Sequence, residues 1–364
     1  MISRRILVLT AVGAILATLI YLQVRTWSRF DWGTFAQVTR EIEPFHIIVA
    51  VGIVYFTYIL RAVRWKIFLR PVCRARLSGL IPPHFIGFAG LALLGRPGEL
   101  VRPYLIAKRE QLQVSSQVAV WAVERVFDVG AFALLMAIDV FVFVDRFHLD
   151  RHIRLRIQIG GGILIGLVAA AGLAMWAIQR NCQGVATWLE RRLSPFSRRF
   201  AHSLCQKVQA FGEGLNTIHD WTSLAQLIGI SLGIWWLIAL SYREILHAYP
   251  ALPAASATAH HAALHFIDIP HVLLLIGASM IGSLLQLPAV GGGSQLATIS
   301  VLSSSAIFGL PKEQAVSAGM MLWLVTFVSC VPVGLLFARQ EHVSLRRLTQ
   351  ESQQPEEATV SKVR

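Results

Sequence analysis

Charged side chains recur at helical spacing inside an apolar segment of this chain. Trp121, Glu124, Arg125 and Asp128 occupy positions i, i+3, i+4 and i+7 and therefore share one face of a predicted helix. A charged side chain at the centre of a bilayer helix costs about 2.5 to 3.5 kcal/mol on insertion scales, so each one needs a partner or a function. The stripe is the first candidate site.

Further arginines lie in the two preceding apolar segments. Arg61 and Arg64 lie one turn apart near the end of one segment, and the next segment contributes Arg96, Glu99 and Arg102. Guanidinium groups bind phosphate in a bidentate manner. Together with the stripe of residues 121–128, these side chains predict an electropositive pocket for a phosphate or another anionic headgroup, in which the acids hold the arginines in position.

A structural interpretation of the same residues stays open. Arg61 and Arg64 have the spacing of ordinary snorkelling residues at a membrane boundary. Glu124, Arg125 and Asp128 would then only satisfy one another or fix a neighbouring helix.

Two apolar segments are broken by proline and glycine at corresponding places in the two halves of the chain. Residues 86–107 are interrupted at 95–99, and residues 272–308 are interrupted at 288–293. Broken backbone at membrane depth persists only where it is buried in protein or lines a hydrated cavity, and paired breaks point to a binding site. Return helices expected to start at Gly98 and Gly293 would add amide donors and positive dipole ends. The candidates in the second break are Gly291, Gly292, Gly293 and Gln295.

The composition predicts an integral membrane protein. The chain has 364 residues, of which 55% are hydrophobic and 15% charged, with a mean hydropathy of +0.59; soluble domains contain about 25% charged residues. Six apolar runs are long enough to cross a membrane: residues 6–24, 47–67, 114–144, 157–178, 224–246 and 314–338. The predicted fold is all-α, a polytopic membrane helix bundle of six spans plus two re-entrant helical hairpins.

The distribution of positive charge predicts the topology. With both termini in the cytoplasm, most of the 33 Lys and Arg residues fall on the cytoplasmic side. The net charge of +13 is then a signal of topology and anionic lipid, not of nucleic acid. The two hairpins would open to opposite sides, as in an inverted-topology repeat. The sequence matches between the halves are short enough to arise by chance, so the repeat itself stays open.

The chain is predicted to form a single membrane domain over residues 1–348, with halves at about 1–145 and 157–338. A basic amphipathic segment at about 180–221 would lie either on an anionic leaflet or against the protein's own cytoplasmic face. Residues 349–364 are expected to be a disordered tail. His261 and His265 have the spacing of a metal pair, but no third ligand follows from the pattern, so neither a metal nor another cofactor is predicted.

The order of four motifs resembles a known family. They are Arg61–Trp65, Arg96–Arg102, Glu124–Asp128 and the glycine-rich break at 288–293, and the likeness extends over about residues 51–337. Together they resemble the lysylphosphatidylglycerol synthase transmembrane region family of flippase-like membrane proteins. The resemblance implies a multi-pass protein of the bacterial inner membrane that translocates an anionic or polyisoprenoid-type lipid. The site residues it implies are Arg61, Arg64, Arg96, Glu99, Arg102, Glu124, Arg125 and Asp128.

The chain departs from the family pattern at Gln295, where many members have a glutamate soon after the break. Full-length synthases also carry a large soluble aminoacyl-transferase domain, for which this chain has no room, so lysyl transfer is not expected. Two alternatives to a transporter stay open. One is a membrane-embedded enzyme that modifies a lipid headgroup with Glu124 or Asp128 as a base, and the other is a lipid-binding partner subunit that transports nothing.

Overall fold

The apolar segments of this chain form helices, since a helix satisfies its own backbone hydrogen bonds in a medium without water. The computed structural model describes residues 31–143, 151–194, 205, 208, 221–249, 268–284, 292–304 and 307–341. Within these ranges the regular structure is helical and no β-strand is present. The predicted all-α membrane bundle is confirmed.

Four helical segments of the described residues are long and apolar enough to cross a membrane. They are Pro44–Leu69 (α2), the apolar part of Arg151–Arg180 (α6), Trp221–His247 (α8), and Lys312–Gln340. The last segment consists of Lys312–Trp323 (α11), a π-helical turn at Leu324–Val328, and Cys330–Gln340 (α12).

The predicted count of six spans is not confirmed. Helix Val114–Val142 (α5) has 29 residues and a length of about 43 Å, but its charged stripe keeps it outside the four apolar spans. The predicted span at residues 6–24 lies outside the described residues, as do the tail at 349–364, the histidines His261 and His265, and most of the amphipathic segment after residue 194.

The first broken segment forms a hairpin of two short helices. Helix Leu77–Leu94 (α3) ends at Gly95, whose φ of +69° turns the chain, and a 3₁₀ turn at Arg96–Leu100 leads into Val101–Arg109 (α4). The two sides approach so closely that a Cβ on Gly98 would lie 2.1 Å from the carbonyl oxygen of Gly90. Only glycine fits there.

One expectation for this hairpin was wrong. Gly98 does not start the return helix, because it lies inside the 3₁₀ turn and its amide donates to the carbonyl of Gly95 at 2.9 Å. A ligand would have to compete with that bond. The glycine is required for the close packing of the hairpin rather than for a free amide donor.

The second broken segment forms a similar hairpin. Helix Ile269–Leu284 (α9) packs against Gly292–Ser303 (α10), and the connection at 285–291, which includes Gly291, lies outside the described residues. A Cβ on Gly282 would lie 2.4 Å from the carbonyl oxygen of Gly293. Both hairpins are therefore closed by a glycine pair.

The two halves repeat one order of elements: a long helix, a hairpin and a second long helix. The first long helices, α2 and α8, pack together, and the residue numbers of their contacts run in opposite directions. Four side-chain hydrogen bonds define this register: His46 with Glu244, Ser241 with the carbonyl of Ala50, Arg64 with Ser231, and Arg70 with Gln226. Equivalent helices are thus antiparallel, as in an inverted-topology arrangement.

Each half also packs its last helix against the hairpin of the other half. The last helix of the second half, α12, packs on the first hairpin. A Cβ on Gly334 of α12 would lie 2.4 Å from the Cβ of Ala89 in α3. The last helix of the first half, α5, packs on α9 of the second hairpin, where Gly277 faces Met136. Each hairpin is therefore held by the closing helix of the opposite half.

Short helices complete the described chain. Trp32–Arg40 (α1) is capped by Asp31, which accepts hydrogen bonds from the amides of Gly33 and Thr34. Cys182–Leu193 (α7) follows α6. Helix α6 contacts α5 along one side and exposes apolar residues on the other, as expected of a helix that faces lipid.

Candidate functional site

The two acids of the α5 stripe are buried at the centre of a network of arginines. Glu124 is 0% exposed and Asp128 is 4% exposed. Arg125, on the same helix, lies 3.0 Å from Asp128 Oδ2 and keeps 40% of its side chain exposed. The stripe therefore has a buried acidic side and a partly open basic side.

Helix α2 supplies two of the arginines. Arg64 is fully buried; its Nη1 donates to Asp128 Oδ1 at 2.7 Å and to Ser231 Oγ of α8 at 2.9 Å, and its Nη2 donates to Glu124 Oε1. Arg61 Nη1 donates to Asp128 Oδ2 at 3.2 Å. Because Arg61 and Arg64 are buried, they are not snorkelling residues at a boundary.

The first hairpin supplies the next arginine. Arg102 of α4 donates to both carboxylate oxygens of Glu124. Its guanidinium carbon lies 4.8 Å from the ring centre of Trp65 and 5.5 Å from that of Phe88, distances typical of cation–π contacts. Gly87 makes room for it, since a Cβ there would lie 2.6 Å from the Cβ of Arg102.

The network, hereafter the arginine cluster, is not electrically balanced. It joins Arg61, Arg64, Arg102 and Arg125 to Glu124 and Asp128. Four guanidinium groups thus face two carboxylates, which leaves two formal positive charges in excess among these ion-paired residues, while a third acid, Glu99, lines the adjoining cleft. In addition, the Nε atoms of three of these arginines have no hydrogen-bond partner in that part of the chain. Arginines of α2 and of the first hairpin thus meet the charged stripe of α5, as predicted. Binding of an anion stays a prediction.

A cavity of about 220 Å³ adjoins the cluster between the two hairpins. Its wall is mainly apolar and aromatic, with several hydroxyl groups, and Arg61 is the one charged residue among the described residues that line it. Ser279 and Ser294 bring one hydroxyl from each side of the second hairpin, 2.7 Å apart. The cavity is therefore amphiphilic, with its positive charge at one place.

A second, smaller cleft of about 20 Å³ lies on the open side of the cluster. Glu99, Arg102 and Arg125 line it together with Trp121. Phe88 lines both the cleft and the larger cavity, as does Leu91. The arginine cluster is thus reached from two adjoining spaces.

The remaining predicted site residues are either not described or belong to α10. Arg96 lies in the 3₁₀ turn, where its side chain is not described, and Gly291 lies outside the described residues. Gly292 has a φ of +60° at the start of α10, and Gly293 and Gln295 are buried in that helix. Ser294, which the sequence interpretation passed over, is the residue of this segment that faces the cavity in the described structure.

Sequence reasoning also missed Ser231 and the aromatic residues Trp65 and Phe88 as members of the site. A serine in a long apolar run is a weak signal by itself, because its partner Arg64 lies 167 positions away. Trp65 is held by its own hydrogen bond, from Nε1 to Gln117 Oε1 at 3.0 Å. Within the described residues, no group of three or more His, Cys, Asp or Glu side chains is placed to hold a metal ion.

The comparison with protein families finds a match over most of the chain. The family described as lysylphosphatidylglycerol synthase TM region matches residues 6–334, which include both hairpins and every residue of the arginine cluster. The chain belongs to this family. It is accordingly a multi-pass membrane protein. No curated protein and no solved structure matches the chain.

Neutralising Glu124 tests the arrangement of the cluster. Glu124→Gln leaves four arginines around one carboxylate, and an uncompensated buried charge costs about 3 to 5 kcal/mol. We expect a marked fall in the melting temperature in detergent, or loss of monodisperse protein. Glu41→Gln, at an exposed acid of α1, should change stability by less than about 0.5 kcal/mol.

Arg102→Gln tests whether Arg102 and Glu124 stabilise the protein as an ion pair. Combined with Glu124→Gln it removes one surplus charge, so the double variant should melt above the Glu124→Gln single variant. A Glu124→Gln protein that melts like the wild type would contradict the network described above.

Proposed function

We propose that this protein is a flippase-type lipid transporter of the bacterial inner membrane, with both termini in the cytoplasm. It binds the headgroup of an anionic or polyisoprenoid-type lipid at the arginine cluster and moves the lipid between leaflets. The observation that carries the proposal is the excess of two positive charges beside an amphiphilic cavity. Neither feature is needed merely to hold a helix bundle together.

The headgroup class follows from the arginines. A buried positive excess is costly in a low-dielectric medium, and a phosphate lowers that cost while accepting several guanidinium hydrogen bonds. Arg125 is the most open member, and it lines the small cleft with Arg102. Arg61 presents its charge to the larger cavity. A phosphate at this place would thus be reached by arginines of α2, α4 and α5.

The cavity suits the apolar part of such a lipid. At about 220 Å³ it exceeds the roughly 150 Å³ of an engineered cavity that accepts benzene, yet it is too small for a complete lipid. Its wall includes the rings of Tyr58, Phe88 and Trp235. Part of one apolar chain of the lipid fits into the cavity in this conformation. Passage of the whole lipid requires the hairpins to move apart.

The antiparallel halves provide a mechanism for that movement. In transporters with inverted repeats, a site at the repeat interface opens alternately to the two sides as one half rocks against the other. Here the site lies where α2, α8 and both hairpins meet. Each hairpin is held by the last helix of the opposite half, so relative motion of the halves would shift both hairpins together.

The same contacts weigh against an enzyme. A general base needs a lone pair within reach of its substrate, whereas Glu124 accepts from Arg64 and Arg102, and Asp128 accepts from Arg61 and Arg64. Both acids are engaged in positioning arginines. The cavity weighs against a scaffold without transport, because a binding surface on the exterior would need no space between the hairpins.

Removal of the most open arginine tests headgroup binding. Arg125→Gln leaves both acids paired with buried arginines, so the protein should fold, yet it removes one of the two surplus charges. In proteoliposomes with a fluorescent phosphatidylglycerol, we expect lipid translocation to fall about tenfold or more, which corresponds to about 1.4 kcal/mol. Dithionite quenching of the outer leaflet measures the rate.

The matched control is Arg243→Gln. Arg243 has a similar exposure, 36% of its side chain, and also pairs with an acid, but at the far end of α8. It should leave translocation unchanged. Equal rates for Arg125→Gln and the wild type, or a wild type that moves no anionic lipid at all, would contradict the proposal.

A bulky residue at the cavity tests its role in passage. Ser283 is exposed on α9 and lines the cavity, so Ser283→Trp should obstruct it and reduce translocation several-fold without changing the melting temperature. Ser303→Trp is the control, because Ser303 is an exposed serine of α10 that makes the same kind of backbone hydrogen bond away from the cavity wall. Similar translocation rates in both variants would show that the lipid does not pass through the cavity.

A further inference from the structure

A third acid of α5 is buried without a partner among the described residues. Asp139 lies eleven residues beyond Asp128, about 16 Å along the helix axis, and is 1% exposed. Neither of its carboxylate oxygens has a hydrogen-bond partner in the part of the chain that the structure describes. This differs from Glu124 and Asp128, each of which is paired with several arginines.

Among the described residues, no group of opposite charge is paired with Asp139. Its neighbours Val140 and Phe141 pack against Gly161 of α6, and the preceding turn packs against Gly277 of α9. Titratable or charged groups near this level on the packed helices are Arg154 and Arg156 on α6, Tyr242, Arg243 and Glu244 on α8, and His271 on α9. None of them forms a hydrogen bond or ion pair with Asp139 in the described structure, and Glu244 is paired with His46.

A carboxyl in this position is far more stable with a proton than without one. Ionised and unpaired, it would be buried in an apolar environment, which costs several kcal/mol. It also lies in the last turn of α5, where the negative end of the helix dipole opposes a negative charge. Metal cations need several oxygen ligands, and Asp139 belongs to no group of three or more His, Cys, Asp or Glu side chains among the described residues. The ligand that fits is a single proton.

We propose that Asp139 is a proton-binding site that couples lipid movement to the transmembrane proton gradient. The proposal rests on the proposed function, since it concerns the energy source of the same transport cycle. A proton from water on one side forms an O–H bond with the carboxylate while the site is open, and the bond breaks when the other side opens. No further reactant is involved. Helix α5 carries both Asp139 and the acids of the arginine cluster, and it packs against the second hairpin, so one movement alters both sites.

Infrared spectroscopy tests proton binding without any transport. A protonated buried carboxyl gives a C=O stretching band that shifts in heavy water. We expect the wild type at neutral pH to show this band and Asp139→Asn to lack it. Asp31→Asn removes the exposed capping acid of α1 and should retain the band. A band that persists in Asp139→Asn, or is absent from the wild type, overturns the assignment.

A gradient experiment tests the coupling. With fluorescent phosphatidylglycerol in proteoliposomes at zero membrane potential, one pH unit should change the steady-state ratio of lipid between leaflets by up to about tenfold per coupled proton. Asp139→Asn should make this ratio independent of the gradient, and Asp139→Glu should restore the dependence. The melting temperature of each variant, measured in parallel, separates coupling from a loss of fold.

The outcomes distinguish the two proposals. A wild type that moves lipid equally with and without a gradient overturns the coupling and leaves the proposed function intact. An Asp139→Asn protein that still responds to the gradient overturns the coupling as well, whatever its stability. A wild type that moves no lipid under any gradient overturns both.

Discussion

The structure depends on two buried carboxylates that hold four guanidinium groups. Glu124 and Asp128 are buried within the protein, where an unpaired charge is costly. Their partners come from α2, from α4 of the first hairpin and from α5 itself. None of these elements can shift without separating opposite charges. The pairing fixes the fold locally, and the proposed binding of an anion rests on the guanidinium groups that exceed the paired carboxylates.

The inverted arrangement of the halves brings this charged site beside a space large enough for part of a lipid. Glycine pairs bring the two helices of each hairpin into close contact, with Gly90 against Gly98 and Gly282 against Gly293. In the proposed transport cycle, each hairpin would therefore move as a unit. The cavity between them combines hydroxyl groups and aromatic rings with the charge of Arg61, which suits an amphiphile better than a fully polar or fully apolar ligand.

Much of this could be predicted from the sequence, because the signals are local. Glu124, Arg125 and Asp128 share a helix face by spacing alone, and a glycine–proline break in an apolar run predicts a hairpin. Contacts between distant segments could not be predicted from the sequence. Ser231, for example, accepts a hydrogen bond from Arg64 across 167 positions. The amide of Gly98 was taken for a free donor because spacing does not reveal that it bonds within its own turn. The burial of the third acid of α5 depends equally on three-dimensional packing.

Binding of an anionic lipid to the arginine cluster is tested most directly by thermal stabilisation in detergent. Short-chain phosphatidylglycerol should raise the melting temperature of the wild type in a saturable manner, because a ligand that binds only the folded protein stabilises it. Short-chain diacylglycerol, which lacks the phosphate, should have a much smaller effect, and Arg125→Gln should weaken the response to phosphatidylglycerol. Equal stabilisation by the two lipids, or an unchanged response in the Arg125→Gln protein, would contradict the account.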